Sequence, residues 1–87
     1  MRIRVTQDHI DKGVPMQGEE CPVAIAIKEC TDLDPVVVGY NVIRGRTVNR
    51  EMFIANSPQQ VSDFVSHFDG SEAVMPFEFE LNLEVIT

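Results

Sequence analysis

Phe77-Glu78-Phe79-Glu80-Leu81-Asn82-Leu83-Glu84 alternates apolar and polar residues without a break. Side chains on a strand point to opposite faces in turn. The stretch therefore predicts one half-buried strand, with Phe77, Phe79, Leu81 and Leu83 inward and Glu78, Glu80 and Glu84 outward. Arg2–Thr6, at the other end of the chain, alternates in the same way, with Ile3 and Val5 on one face and Arg2 and Arg4 on the other.

The segments between them read as helices and two more strands. Thr6 is placed to cap a short helix running to Lys12, with Gly13 as its left-handed stop. Val14–Glu20 contains Pro15 and Gly18 and reads as loop. Cys21-Pro22 opens a second helix, because Pro at the first helical position loses no hydrogen bond and Glu19 and Glu20 complement the helix dipole. Val23, Ile27 and Cys30 share its apolar stripe, and Ala24 and Ala26 allow close approach to a sheet. Val36–Ile43 is β-branched and bounded by turn residues, as a strand is. Arg44-Gly45-Arg46 then makes a short hairpin, and Thr47–Ala55 returns antiparallel. Asn56-Ser57-Pro58-Gln59-Gln60 starts a third helix with a Ser cap, Pro at the first position and Gln three after the cap. Val61, Phe64, Val65 and Phe68 form its buried stripe, and Gly70 ends it.

The order β-αα-β-β-α-β predicts an α+β fold, a small single-layer sheet of four strands with helices on one face. Right-handed crossovers favour the ferredoxin-like split βαβ arrangement, strand order 4-1-3-2. A simpler α+β meander is the alternative. In the favoured order the last strand lies antiparallel to the first, so Glu78, Glu80 and Glu84 share the helix-free face with Arg2 and Arg4. Opposite charges across a strand pair contribute roughly 0.2–1 kcal/mol each. Asp63, Asp69 and Glu72, on the outer face of the last helix and its following turn, have no such neighbour.

Eighty-seven residues make one domain, 1–87, with a single core. The net charge of −7 is unevenly spread: residues 57–87 hold six acids and no Lys or Arg, a net of −6. The apolar runs Val23–Ile27 and Val36–Val38 are far short of the roughly 20 residues of a membrane span. The first residues lack the apolar stretch of a signal peptide. The expected location is therefore the cytoplasm, with no membrane partner. Two cysteines cannot build a disulfide framework. In one helix, Cys21 and Cys30 would stand about 13 Å apart, beyond the roughly 7 Å that a bridge spans.

No pattern here names a reaction. Cys21 at a helix start meets N–H groups that can lower a thiol pKa, but Glu19 and Glu20 oppose that shift, and free cysteines are commonly buried. His9, Cys21, Cys30 and His67 are the metal-ligand residue types, yet none forms the close pairs of a zinc site. Glu78 and Glu80 face one side, as alternate residues on any strand do, without a phosphate loop or hydrolase motif beside them. No catalytic, cofactor or metal residue is expected. Direct nucleic-acid binding is disfavoured at this charge, since phosphate neutralisation supplies most of that affinity. Arg44, Arg46 and Arg50 cluster at the hairpin. An acidic last third opposite a basic hairpin is the distribution that steers a charged protein partner, and it also serves solubility.

Val5-Thr6-Gln7-Asp8-His9-Ile10-Asp11-Lys12-Gly13, followed by Cys21-Pro22-Val23-Ala24-Ile25-Ala26-Ile27, resembles a group of small proteins encoded by bacteriophages. Phe68-Asp69-Gly70 and Pro76-Phe77-Glu78-Phe79-Glu80-Leu81 resemble the same group's ending. The resemblance covers about half of the chain and leaves out the middle hairpin. It implies a phage or prophage origin and action inside a bacterium, where small acidic phage proteins often occlude a host factor, sometimes by imitating the charge of DNA. The resulting expectation is a non-enzymatic protein that binds a host or phage protein, one that itself handles nucleic acid. It would inhibit a defence system as anti-CRISPR proteins and DNA mimics do, through Asp63, Asp69, Glu72, Glu78, Glu80 and Glu84. The alternative is an accessory domain, homodimeric through its open sheet face, with no inhibitory role.

Overall fold

Phe79 is wholly buried, and its backbone sits opposite Ile3, itself wholly buried. This contact joins the two ends of the chain. The structure, a computed structural model, describes residues 1–86. In chain order the elements are β1 (Arg2–Val5), α1 (Gln7–Lys12), α2 (Pro22–Cys30), β2 (Val36–Val38), β3 (Val42–Arg46), β4 (Met52–Asn56), α3 (Gln59–Asp69), β5 (Phe77–Glu80) and β6 (Glu84–Val85). The fold is α+β, with one two-stranded antiparallel sheet, β1-β5, and one four-stranded antiparallel sheet, β2-β3-β4-β6.

The single last strand and the ferredoxin-like order are therefore not the pairing observed. β5 follows β1 from Phe77 opposite Val5 to Glu80 opposite Arg2. The Leu81 N–H then donates to the Met1 carbonyl (2.8 Å), and the chain leaves the ladder. It pairs again at Glu84, which lies opposite Ile54 of β4. One alternating stretch thus serves two sheets. Alternation reports which side chains face the core, and Leu81 is buried as its place in the pattern requires; it does not report which strand lies alongside.

α2 packs between the sheets, against both β1 and β2. Pro22, Val23, Ala24, Ala26 and Ile27 are buried, and the two alanines keep the helix close to its neighbours. Cys30 is exposed, although it continues the stripe. It is the last helical residue, and Thr31 ends the helix by donating its hydroxyl to the Ile27 carbonyl (2.8 Å). On α3, Val61, Phe64, Val65 and Phe68 are all buried, as their spacing predicts. The Phe64 and Phe77 rings stand 4.8 Å apart, and Phe77 stacks on Phe79 at 5.7 Å. Aromatic contact thus ties α3 to the β5 end of the core.

Two turn expectations also move. Val36–Ile43 is broken at Gly39-Tyr40-Asn41, and Arg44-Gly45-Arg46 lies inside β3 rather than at a hairpin tip. Arg46 is held on both backbone groups, donating to the Pro35 carbonyl (3.2 Å) and accepting from Asp34 N–H (2.8 Å). The reversal instead spans Thr47–Glu51, closed by the Thr47 N–H to the Glu51 carbonyl (3.0 Å), with Arg50 at φ 66°. Gly45 mimics a turn signal for a packing reason: a Cβ there would stand 2.7 Å from Leu33 Cδ1 and 3.1 Å from Leu33 Cβ. The glycine makes room for a buried leucine.

Helix ends differ too. Gly13 has φ −70° and is not left-handed. Ser57 does not cap α3; its hydroxyl donates to the Gly39 carbonyl (2.9 Å), and Pro58 takes the cap position without a side-chain bond. Ser62 Oγ donates to the Tyr40 carbonyl. Both serines tether α3 to the β2–β3 turn.

Substituting Gly45→Ala should lower stability by about 1–3 kcal/mol through overpacking against Leu33. Urea denaturation with Leu33→Ala as background checks the cause, because the glycine substitution should then cost much less than it does alone.

Candidate functional site

The six acids singled out in the last third fall into three settings. Glu78 and Glu80 lie on the outer face of β5, opposite Arg4 and Arg2. Arg4 Nε donates to Glu78 Oε1 at 3.1 Å, and the Met1 amino group donates to Glu80 Oε1 at 3.0 Å. That hydrogen bond, with the amino group's charge and then Arg2's, holds the Glu80 carboxyl below the usual carboxylate range. Both pairs are solvent-exposed, so each contributes little to stability. These two acids are matched within the chain, as the strand pairing predicts.

Glu84 is not on that face. It belongs to β6 and lies beside Ile54, because the chain has changed sheets. It has no ion-pair partner among the described residues. Glu84 and Glu80 do meet across a surface concavity of about 280 Å³, lined also by Asn56, Asn82, Ile54 and Pro58. The concavity lies where the last segment and β4 diverge toward α3.

Asp69, expected to be unopposed, is engaged. Its carboxylate accepts from the Met16 N–H (2.9 Å) and the Tyr40 hydroxyl (3.3 Å), joining the end of α3 to the 13–20 loop and the β2–β3 turn. Desolvation and this carboxylate push the Tyr40 hydroxyl up. Asp63 accepts from Gln59 Nε2, one turn earlier on the same helix (2.8 Å). Glu72 Oε2 stands 3.8 Å from His67 Nε2. Neither Asp63 nor Glu72 has a Lys or Arg in an ion pair among the described residues, and both are exposed.

The bases are placed differently from the hairpin cluster expected of them. Arg44 and Arg46 project from the outer face of β3, and Arg50 sits in the following turn. None of the three has an ion-pair partner among the described residues.

The thiols separate by burial. Cys21 is 2 % exposed, and burial pushes its thiol up, against backbone hydrogen bonds from Ala24 and Val23 that pull it down. A raised thiol is a poor nucleophile near neutral pH. Cys30 is the accessible one. It borders an apolar concavity with Met1, Leu33, Phe53 and Leu83.

His9 carries a role that motif reading missed. Among the described residues it is the one buried polar side chain. Its Nδ1 accepts from the Thr6 N–H (2.9 Å), while the His9 N–H donates back to Thr6 Oγ1 (3.4 Å). Thr6-x-x-His9 is thus a capping box with histidine in the place usually held by Glu or Gln. With Nδ1 accepting, the ring proton lies on Nε2, which donates to Glu29 Oε1 (2.9 Å). The imidazole staples α1 to α2. Both ring nitrogens are so occupied, and no group of three metal-ligating side chains occurs among the described residues.

The chain matches no known family, and comparison with curated proteins and with solved structures finds no match either.

His9→Ala should destabilise the protein by roughly 1–3 kcal/mol, through a lost cap and a Thr6 N–H without its acceptor. His9→Gln, which can still cap, should recover much of that in urea denaturation. In native alkylation read by mass spectrometry, Cys30 should react first, with one adduct per chain. The adduct on Cys21 should appear only on unfolding.

Proposed function

We propose that this is a non-enzymatic protein of phage type that acts inside a bacterium by binding a host or phage protein, occupying a surface that the partner otherwise offers to nucleic acid. The observation that carries this reading is the outer side of α3. Residues 57–87 contain six acidic side chains and no Lys or Arg, and Asp63 and Glu72 stay exposed with no Lys or Arg in an ion pair among the described residues, His67 standing 3.8 Å from Glu72. A local excess of one sign raises the encounter rate with an oppositely charged surface. Glu78 is paired with Arg4 and Glu80 with the Met1 amino group, and Asp69 is a structural latch. Of the six acids, Asp63 and Glu72 are therefore the first to test. The resemblance of the first helices and the C-terminal strand to phage-encoded proteins supports the setting, a bacterial cytoplasm with defence systems that handle nucleic acid.

Affinity capture from an infected bacterial lysate should yield a protein with a basic, nucleic-acid-binding surface. Its affinity should fall steeply between about 50 and 200 mM salt. Asp63→Lys with Glu72→Lys should weaken the complex at least about tenfold while leaving the urea midpoint nearly unchanged. Binding indifferent to both salt and charge reversal would exclude nucleic-acid mimicry.

A further inference from the structure

The face of the four-stranded sheet turned away from the core has a charge pattern that complements itself. Ile43, Gly45 and Ala55 point into the core, while Arg44 and Arg46 of β3 and Met52 and Ile54 of β4 lie on the opposite side. Directly paired residues of an antiparallel ladder share a face. The register therefore sets one row across four strands: Val37, Arg44, Ile54, Glu84. A second row sets Arg46 beside Met52, whose carbonyl accepts from the Ile86 N–H (2.9 Å). Val37 is 41 % exposed, Met52 36 % and Ile86 53 %. Met52 and Ile54 thus form an apolar step on β4, followed on the same face by the exposed Asn56, with Arg44 and Arg46 on the strand to one side and Glu84 on the strand to the other. Within one chain Arg44 and Glu84 are two strands apart, roughly 10 Å, and neither has an ion-pair partner among the described residues.

We propose that this face binds a second copy of the chain about a two-fold axis running along β4, so that Arg44 of each copy meets Glu84 of the other. Rotation by half a turn about that axis exchanges the strands on either side, laying β3 over β6 of the second copy and β6 over its β3. Height along the strand is unchanged, and Arg44, Ile54 and Glu84 share one row. The operation therefore makes two Arg–Glu pairs and one Ile54–Ile54 contact at once, as an isologous interface requires. Stacked sheets lie about 10 Å apart, with their strands within about 30° of each other, a gap that an Arg and a Glu reaching toward each other can close. The occupant is a second copy because Arg44 and Glu84 fall on opposite sides of β4 at one height, with Ile54 between them. A partner of single charge would meet attraction on one side and repulsion on the other.

The patch is small, at most about 300 Å² in projection, so the dimer belongs to the weak class of interfaces. Each copy carries a net charge of −7. At about 0.15 M salt that repulsion is screened beyond roughly 8 Å, while charges in contact are screened much less.

Sedimentation equilibrium of the full chain at that salt, from about 10 µM to about 1 mM, should show the mass rising toward twice the monomer's. Arg44→Glu and Glu84→Arg should each weaken self-association at least about tenfold, since each places like charges together at both pairs. An equimolar mixture of the two variants should associate again, because the mixed dimer has one Arg44–Glu84 pair and one exchanged pair. A structural effect of either substitution would not be rescued by mixing. A wild-type chain that stays monomeric to about 1 mM, or variants that fail to recover on mixing, would overturn the proposal. Neither substitution touches Asp63 or Glu72, so this result and the capture of a foreign partner succeed or fail independently.

Discussion

Between Glu80 and Glu84 the chain passes from one sheet to the other, and most of the architecture depends on that passage. Up to Glu80 its backbone is paired with β1; from Glu84 it is paired with β4. The Leu81 side chain is buried at the crossing, which holds the bend from the core side. The Leu81 N–H to the Met1 carbonyl holds it from the backbone side. Since β1 leads through the Thr6–His9 cap into α1, and β4 leads through the Ser57 tether into α3, the passage joins the two halves of the molecule.

The same bend redistributes the charge. In the observed register Glu80 already lies opposite Arg2, the first residue of β1, so a straight last strand would carry Glu84 beyond the end of β1. The bend leaves Glu78 and Glu80 there and carries Glu84 to the edge of the four-stranded sheet. Asp69, meanwhile, is drawn into hydrogen bonds with Met16 and Tyr40. The acidic third of the chain therefore resolves into a matched strand, a structural latch, an exposed helix side and one isolated edge carboxylate. These differ in what they can do, although they look alike in composition. Only groups without an internal partner are available to a foreign one at low desolvation cost.

Much of this fold is legible from local pattern. The α3 stripe Val61, Phe64, Val65 and Phe68, the Pro22 start of α2 and the Arg2–Val5 strand all follow from periodicity or from a residue whose backbone chemistry admits few positions. Most misreadings have another cause. Gly45 looks like a turn residue until Leu33 is seen beside it, and Ser57 looks like a cap until Gly39 takes its hydroxyl. In both, a partner distant in sequence outcompeted the local preference. Cys30 differs, since it continues the stripe at the last residue of its helix and is exposed there.

By itself the sequence determined the α+β class, which side chains of α3, β1 and the last alternating stretch face inward, and the concentration of negative charge in the last third. Those are consequences of spacing and composition, and spacing is a property of neighbours along the chain. The tertiary structure alone decided where the last strand changes sheets, which carboxylates are spent internally, that Cys21 rather than Cys30 is the protected thiol, and that Arg44, Ile54 and Glu84 stand in one row. Each of these depends on which distant residue lies within hydrogen-bonding or van der Waals reach. Alternation and helical spacing record only the side of an element that is covered, not what covers it.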